Sequence, residues 1–130
     1  MLSSITVLVV DDDLLSQHYT RAALHSLGFG EAYSVQNGTE ALEVIEQQTI
    51  GLVVANLQLP GMTGHELAMK VRAGRHSKDI PVILMTGGDR NTKAEEALRM
   101  KPSAYVTKPF TLATFGGTIR RVLKECGHAV

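Results

Sequence analysis

The chain has 130 residues, 44% of them hydrophobic, which is enough for one compact domain with a real core and too few for two. Thirteen lysines and arginines balance thirteen aspartates and glutamates, leaving no net basic field to grip a nucleic-acid backbone. Cys126 is alone, as suits a reducing compartment, and no apolar run reaches membrane-spanning length, so a cytoplasmic protein without membrane contact is expected.

Short apolar runs alternate with amphipathic stretches from end to end, the mark of repeated βα units. The first strand, Ile5 to Val10, is closed by three acids that no signal peptide would carry, and it leads to a helix from Leu14 to Leu27 ended by Gly28. A strand at Ala32 to Val35 precedes a helix at Thr39 to Gln47, whose start carries Asn37-Gly38-Thr39-Glu40, an asparagine-led capping box. A third strand, Leu52 to Ala55, precedes a helix at Gly64 to Ala73 opened by the capping box Thr63-Gly64-His65-Glu66. Strand Val82 to Met85 precedes a helix at roughly Thr92 to Met100, which ends before Pro102 and carries a solvated face of mixed charge. The last strand, Ala104 to Thr107, precedes a helix at Leu112 to Glu125. There Gly116 and Gly117 each cost about 1 kcal/mol relative to alanine, so packing must hold that helix. One domain over residues 1–130, with its core at about 4–125, is expected.

The first, third and fourth apolar runs are continuous, as in strands covered on both faces, whereas the second and fifth are shorter and more polar, as at sheet edges. This predicts an α/β fold with a doubly wound, five-stranded parallel sheet in the order 2-1-3-4-5, of flavodoxin-like (βα)5 type. Its ligand crevice opens beyond the carboxyl ends of strands one and three. Polar groups converge there: Asp11-Asp12-Asp13 after the first strand, Asn56 after the third, Thr86 after the fourth and Lys108 after the fifth. Crowded carboxylates call for a cation, and oxygen donors suit Mg²⁺. Asp13 reads instead as a cap for the next helix. A threonine hydroxyl and a lysine ammonium facing a metal pocket would cradle a phosphoryl group. Three acids where a flavin or dinucleotide site needs a glycine-rich phosphate loop exclude those ligands. His18, His25, His65, His76 and His128 fall at no metal-ligand spacing.

The segments Val7-Leu8-Val9-Val10-Asp11-Asp12-Asp13, Gln36 to Leu42, Leu59-Pro60-Gly61-Met62-Thr63-Gly64 and Tyr105-Val106-Thr107-Lys108-Pro109-Phe110 together resemble the response regulator receiver domain, in family order over nearly the whole chain. The resemblance implies two-component (phosphorelay) signalling through protein contacts. It also implies Mg²⁺ held directly by Asp12, through water by Asp11, and by the Gln58 backbone carbonyl. Thr86 and Lys108 would contact the phosphoryl group, and Tyr105 would be the switch aromatic on the face of helix four, strand five and helix five. The implied partners are a sensor histidine kinase or phosphotransfer protein and a downstream protein target, with pairing of two copies through the same face as a further option.

The departure is at Asn56, where the family carries its phosphoacceptor aspartate. An amide with a delocalised lone pair is a poor nucleophile, so the self-catalysed phosphorylation and dephosphorylation of the family should be lost or impaired, and the Mg²⁺ site weakened. The chain is then either a phosphorylation-independent pseudo-receiver or an aspartate-to-asparagine variant of an ordinary receiver. Not an enzyme in its own right, it is expected to have no output domain. The alternative is a metal-dependent phosphohydrolase with Asp11 as nucleophile.

Overall fold

A computed structural model of the chain describes residues 2–87 and 103–127. Strands β1 (Thr6–Val10), β2 (Glu31–Val35), β3 (Leu52–Asn56), β4 (Val82–Thr86) and β5 (Ala104–Thr107) form one parallel sheet in the order β2-β1-β3-β4-β5. The inner strands are buried almost throughout, while β2 is half-buried to exposed and β5 alternates. Continuous apolar runs in β1, β3 and β4 follow from cover on both faces. Val7, Val9, Leu52, Val54, Ile83 and Met85 pack with α1 (Leu14–Ser26) and with the C-terminal helix (Leu112–Glu125) through Leu24, Phe115, Ile119 and Leu123. The alternate residues Leu8, Val10, Val53, Ala55, Val82 and Leu84 pack with Ala41 of α2 (Gly38–Gln47) and with Leu67, Ala68 and Val71 of α3 (Gly64–Ala73). Each large side chain buried this way contributes about 1.5–3 kcal/mol.

Both expected N-caps form: Glu40 N donates to Asn37 Oδ1 at 2.8 Å, and Glu66 N donates to Thr63 Oγ1 at 3.2 Å, while the two glutamates accept from Gln36 N and from the Thr63 hydroxyl rather than from the cap backbone N–H. Helix α1 stops at Ser26 with Gly28 just beyond at φ +101°, a conformation that favours glycine. Gly116 has a packing reason that propensity alone hides. A Cβ there would lie 2.7 Å from Leu27 Cδ2, so glycine lets the C-terminal helix close on the end of α1, whereas Gly117 faces open space. β3 and β4 each run one residue past the expected end, which takes Asn56 and Thr86 into the sheet. A short 3₁₀ turn, Leu2–Ser4, was not expected. The helix expected at roughly Thr92 to Met100 lies outside the described residues. Among the described residues no helix is long and apolar enough to cross a membrane.

Candidate functional site

Parallel register brings four strand ends to one rim, since Val10 pairs with Ala55, Asn56 with Met85, and Thr86 with Thr107. Backbone bonds carry the ladder one step further: Asp11 N to Val35 O at 3.0 Å, Leu57 N to Met85 O at 2.9 Å and Lys108 N to Thr86 O at 2.7 Å. The chemistry-bearing residues are therefore held by the sheet itself. Gly64 N donates to Leu57 O at 2.8 Å, and a Cβ on Gly64 would collide with the Asn56 carbonyl oxygen and lie 3.1 Å from Leu57 Cα. That glycine seats the start of α3 directly against the end of β3.

Asp11 is the hub, and only 2% of it is exposed. Its Oδ1 accepts from Asn56 Nδ2 at 2.9 Å and from Asp13 N at 3.0 Å, while Oδ2 accepts from Lys108 Nζ at 3.1 Å. Lys108 Nζ also donates to Ser16 Oγ at 2.8 Å. Gln17, buried on the inner face of α1, donates from Nε2 to Asp11 O at 2.7 Å and to Val35 O at 3.1 Å, so the helix holds the backbone of the acid as well. Asp13 is the α1 cap, as its position predicts, and its Oδ1 accepts from Leu15 N at 3.0 Å and Ser16 N at 3.4 Å.

Asp12 is exposed and lines a cleft of about 590 Å³ with Asp11, Asn56, Gln58 and Lys108. An adjoining cleft of about 390 Å³ shares Asn56, Gln58 and Lys108 and adds Thr86 and Gly87. A Cβ at Gly87 would meet no atom of the described residues within 4 Å. Asn56 Oδ1 and Thr86 Oγ1 are buried with no hydrogen-bond partner among the described residues. The two clefts thus join all of the expected metal and phosphoryl residues: Asp11, Asp12, Asn56, Gln58, Thr86 and Lys108. Tyr105 is not among them. It lies on the edge strand β5 paired with Leu84 and packs half-buried against the second apolar cluster, where burial pushes its phenol pKa up.

His18, His25 and His76 are exposed and His65 is buried, and among the described residues no three His, Cys, Asp or Glu side chains gather at metal-binding distance. A cation in this cleft would rest on two carboxylates and neutral oxygens. Sequence reasoning missed Ser16 and Gln17. Gln17 had a signal, because it shares the inner face of α1 with Thr20 and Leu24 at helical spacing. Ser16 had none, since its partner Lys108 lies 92 residues away.

The response regulator receiver domain family matches residues 7–120. Chemotaxis protein CheY of Pseudomonas aeruginosa is 30% identical over 119 residues, covering 92% of this chain and 96% of that protein. Chemotaxis protein CheY-3 of Vibrio cholerae is 28% identical over 119 residues, with 92% of each chain covered. The receiver domain of a sensor histidine kinase from Pseudomonas aeruginosa PAO1, crystallised with a magnesium ion coordinated in its active-site cleft, aligns with a TM-score of 0.81 at 25% identity, covering 95% of this chain and 98% of that one. The chain belongs to the response regulator receiver domain family, the CheY-like domains of two-component signalling.

Proposed function

We propose that this chain is a receiver domain that signals through protein contacts and takes up no phosphoryl group at position 56. The observation that carries the reading is the bond from Asn56 Nδ2 to Asp11 Oδ1 at 2.9 Å. An amide placed there donates a hydrogen bond where an acceptor carboxylate would repel Asp11, and its delocalised lone pair makes it a poor nucleophile toward phosphorus. The phosphohydrolase alternative draws no support from this geometry, because Asp11 is buried with both oxygens engaged.

The residues fit Mg²⁺, with a weaker hold than three carboxylates would give. Asn56 Oδ1 is a buried acceptor without a partner among the described residues, and the Asp11, Asp12 and Gln58 carbonyl oxygens complete an all-oxygen set. Bound there, the ion would supply positive charge toward phosphoryl oxygens. Lys108 and Thr86 would contribute an ammonium and a hydroxyl on the adjoining side of the rim.

Receiver domains interact with histidine kinases and with downstream targets. For this chain we assign a sensor histidine kinase or phosphotransfer protein as a partner held without group transfer, and a downstream protein as the output. Tyr105 marks the output face. The test is incubation with Mg²⁺ and acetyl phosphate beside the Asn56→Asp variant, read by intact mass and acid lability. The variant should gain an acid-labile phosphoryl group and the parent chain should not. Equal acid-labile labelling of both would refute the reading.

A further inference from the structure

We propose that Ser16 is a positioning residue for the cation site, catching the Lys108 ammonium against α1 so that it serves Asp11 as a built-in counter-ion which a divalent cation must displace. The inference rests on the reading above, in which Asp11, Asp12, Asn56 and the Gln58 carbonyl form that site.

Lys108 leaves the sheet with its backbone fixed, since its N–H donates to Thr86 O at 2.7 Å. Its side chain is 26% exposed, and its ammonium reaches Asp11 Oδ2 at 3.1 Å and Ser16 Oγ at 2.8 Å. This is an awkward place for a cation. Ser16 lies in the first turn of α1, where the positive end of the helix dipole repels positive charge. Something must compensate, and the serine hydroxyl is suited to it. Asp13 already accepts the Ser16 backbone N–H at 3.4 Å, so Oγ is not needed as a cap and can accept from the ammonium.

Asn56 completes the argument. Being neutral, it gives Lys108 no charge to pair with, and its own N–H takes Asp11 Oδ1. Both Asp11 oxygens are thereby occupied by donors from this chain. A divalent cation seeking Asp11 has to break the lysine pair, and Ser16 raises the cost by one hydrogen bond to a charged group. Once displaced, Lys108 still borders the adjoining cleft that contains Thr86.

The experiment is a Mg²⁺ titration of the full chain followed by NMR chemical shifts, for the parent, Ser16→Ala, Ser16→Thr and Asp12→Asn at one ionic strength, with circular dichroism confirming folding. Ser16→Ala should bind Mg²⁺ about threefold to tenfold more tightly than the parent, the effect of losing one hydrogen bond on a competing ammonium that is 26% exposed and regains part of it from water. Ser16→Thr keeps the hydroxyl and should match the parent. In the parent, the Lys108 Nζ resonance should move on Mg²⁺ saturation, and in Ser16→Ala it should already be moved without metal. Equal, measurable Kd values for the parent and Ser16→Ala overturn the proposal alone, as does a Ser16→Thr chain that behaves like Ser16→Ala. If no chain binds Mg²⁺, or Asp12→Asn leaves Kd unchanged, the cation-site reading falls and takes the proposal with it.

Discussion

Replacing Asn56 with aspartate exchanges an N–H donor for a carboxylate oxygen at a position 2.9 Å from Asp11 Oδ1. A hydrogen bond to a charged acceptor is lost, worth about 1.5–3 kcal/mol. Two like charges about 4 Å apart also repel by about 4 kcal/mol at the effective dielectric of a protein surface. Lys108, at 3.1 Å from Asp11 Oδ2, screens part of this, and rotation of the new carboxylate away from Asp11 recovers more. We expect a net loss of about 1–3 kcal/mol without divalent cations, seen as a melting temperature lower by about 4–12 °C. Asp11, Asp12 and Lys108 together carry one net negative charge, and the variant would carry two. Mg²⁺ should therefore restore the variant far more than it stabilises the parent. Urea denaturation at low ionic strength, in chelator and in Mg²⁺, measures both quantities. Equal midpoints for the two chains in chelator, or a variant indifferent to Mg²⁺, would refute the electrostatic account of the cleft.

Two glycines in different settings should respond with opposite signs. Gly64→Ala forces a Cβ into the Asn56 carbonyl and should cost about 1–3 kcal/mol, while Gly117→Ala faces open space in a helix and should add about 0.5–1 kcal/mol. Chemical denaturation decides it, and a neutral Gly64→Ala would mean that α3 can retreat from β3 freely. Burial holds the Tyr105 phenol pKa above its usual 10.0, so the fold favours the protonated form. That contribution is complete below pH about 10 and is lost as pH rises through the elevated value. Stability should then fall less steeply above pH 10 in Tyr105→Phe, although Tyr33, raised by its hydrogen bond to Glu31, keeps a share of the slope. Identical alkaline slopes for the two chains would contradict the burial argument.

The strand order was legible because cover on both faces leaves its trace in composition. Val7 to Val10, Leu52 to Ala55 and Val82 to Met85 are unbroken apolar runs, and they are the three inner strands. The caps were legible for a local reason, since Asn37, Thr63 and Asp13 each act within three residues. Pairings across the fold were not. The Lys108 to Ser16 bond and the fit of Gly64 against the Asn56 carbonyl depend on elements meeting in space and have no periodic signature, and helical spacing places Gln17 on the inner face of α1 without naming Asp11 O and Val35 O as its partners. Gly116 shows the same limit from the other side. Propensity marks it as a defect, yet contact with Leu27 gives it a use.

The cleft is not a polar relic filled in by its own side chains. Asp11 is fully satisfied, with donors on both oxygens, and a site kept only for folding would satisfy its neighbours in the same way. Instead Asn56 Oδ1 and Thr86 Oγ1 are buried without partners among the described residues, and each such group costs about 1–3 kcal/mol when left unmet. Their residues line adjoining clefts that share Lys108, which is where the proposed cation and phosphoryl contacts would fall. On the function proposed above, an amide in place of a nucleophilic carboxylate removes the bond-forming step and leaves this binding chemistry in place. On that same proposal, a partner or an ion engages the rim while Lys108, 3.1 Å from Asp11 Oδ2, balances the charge there.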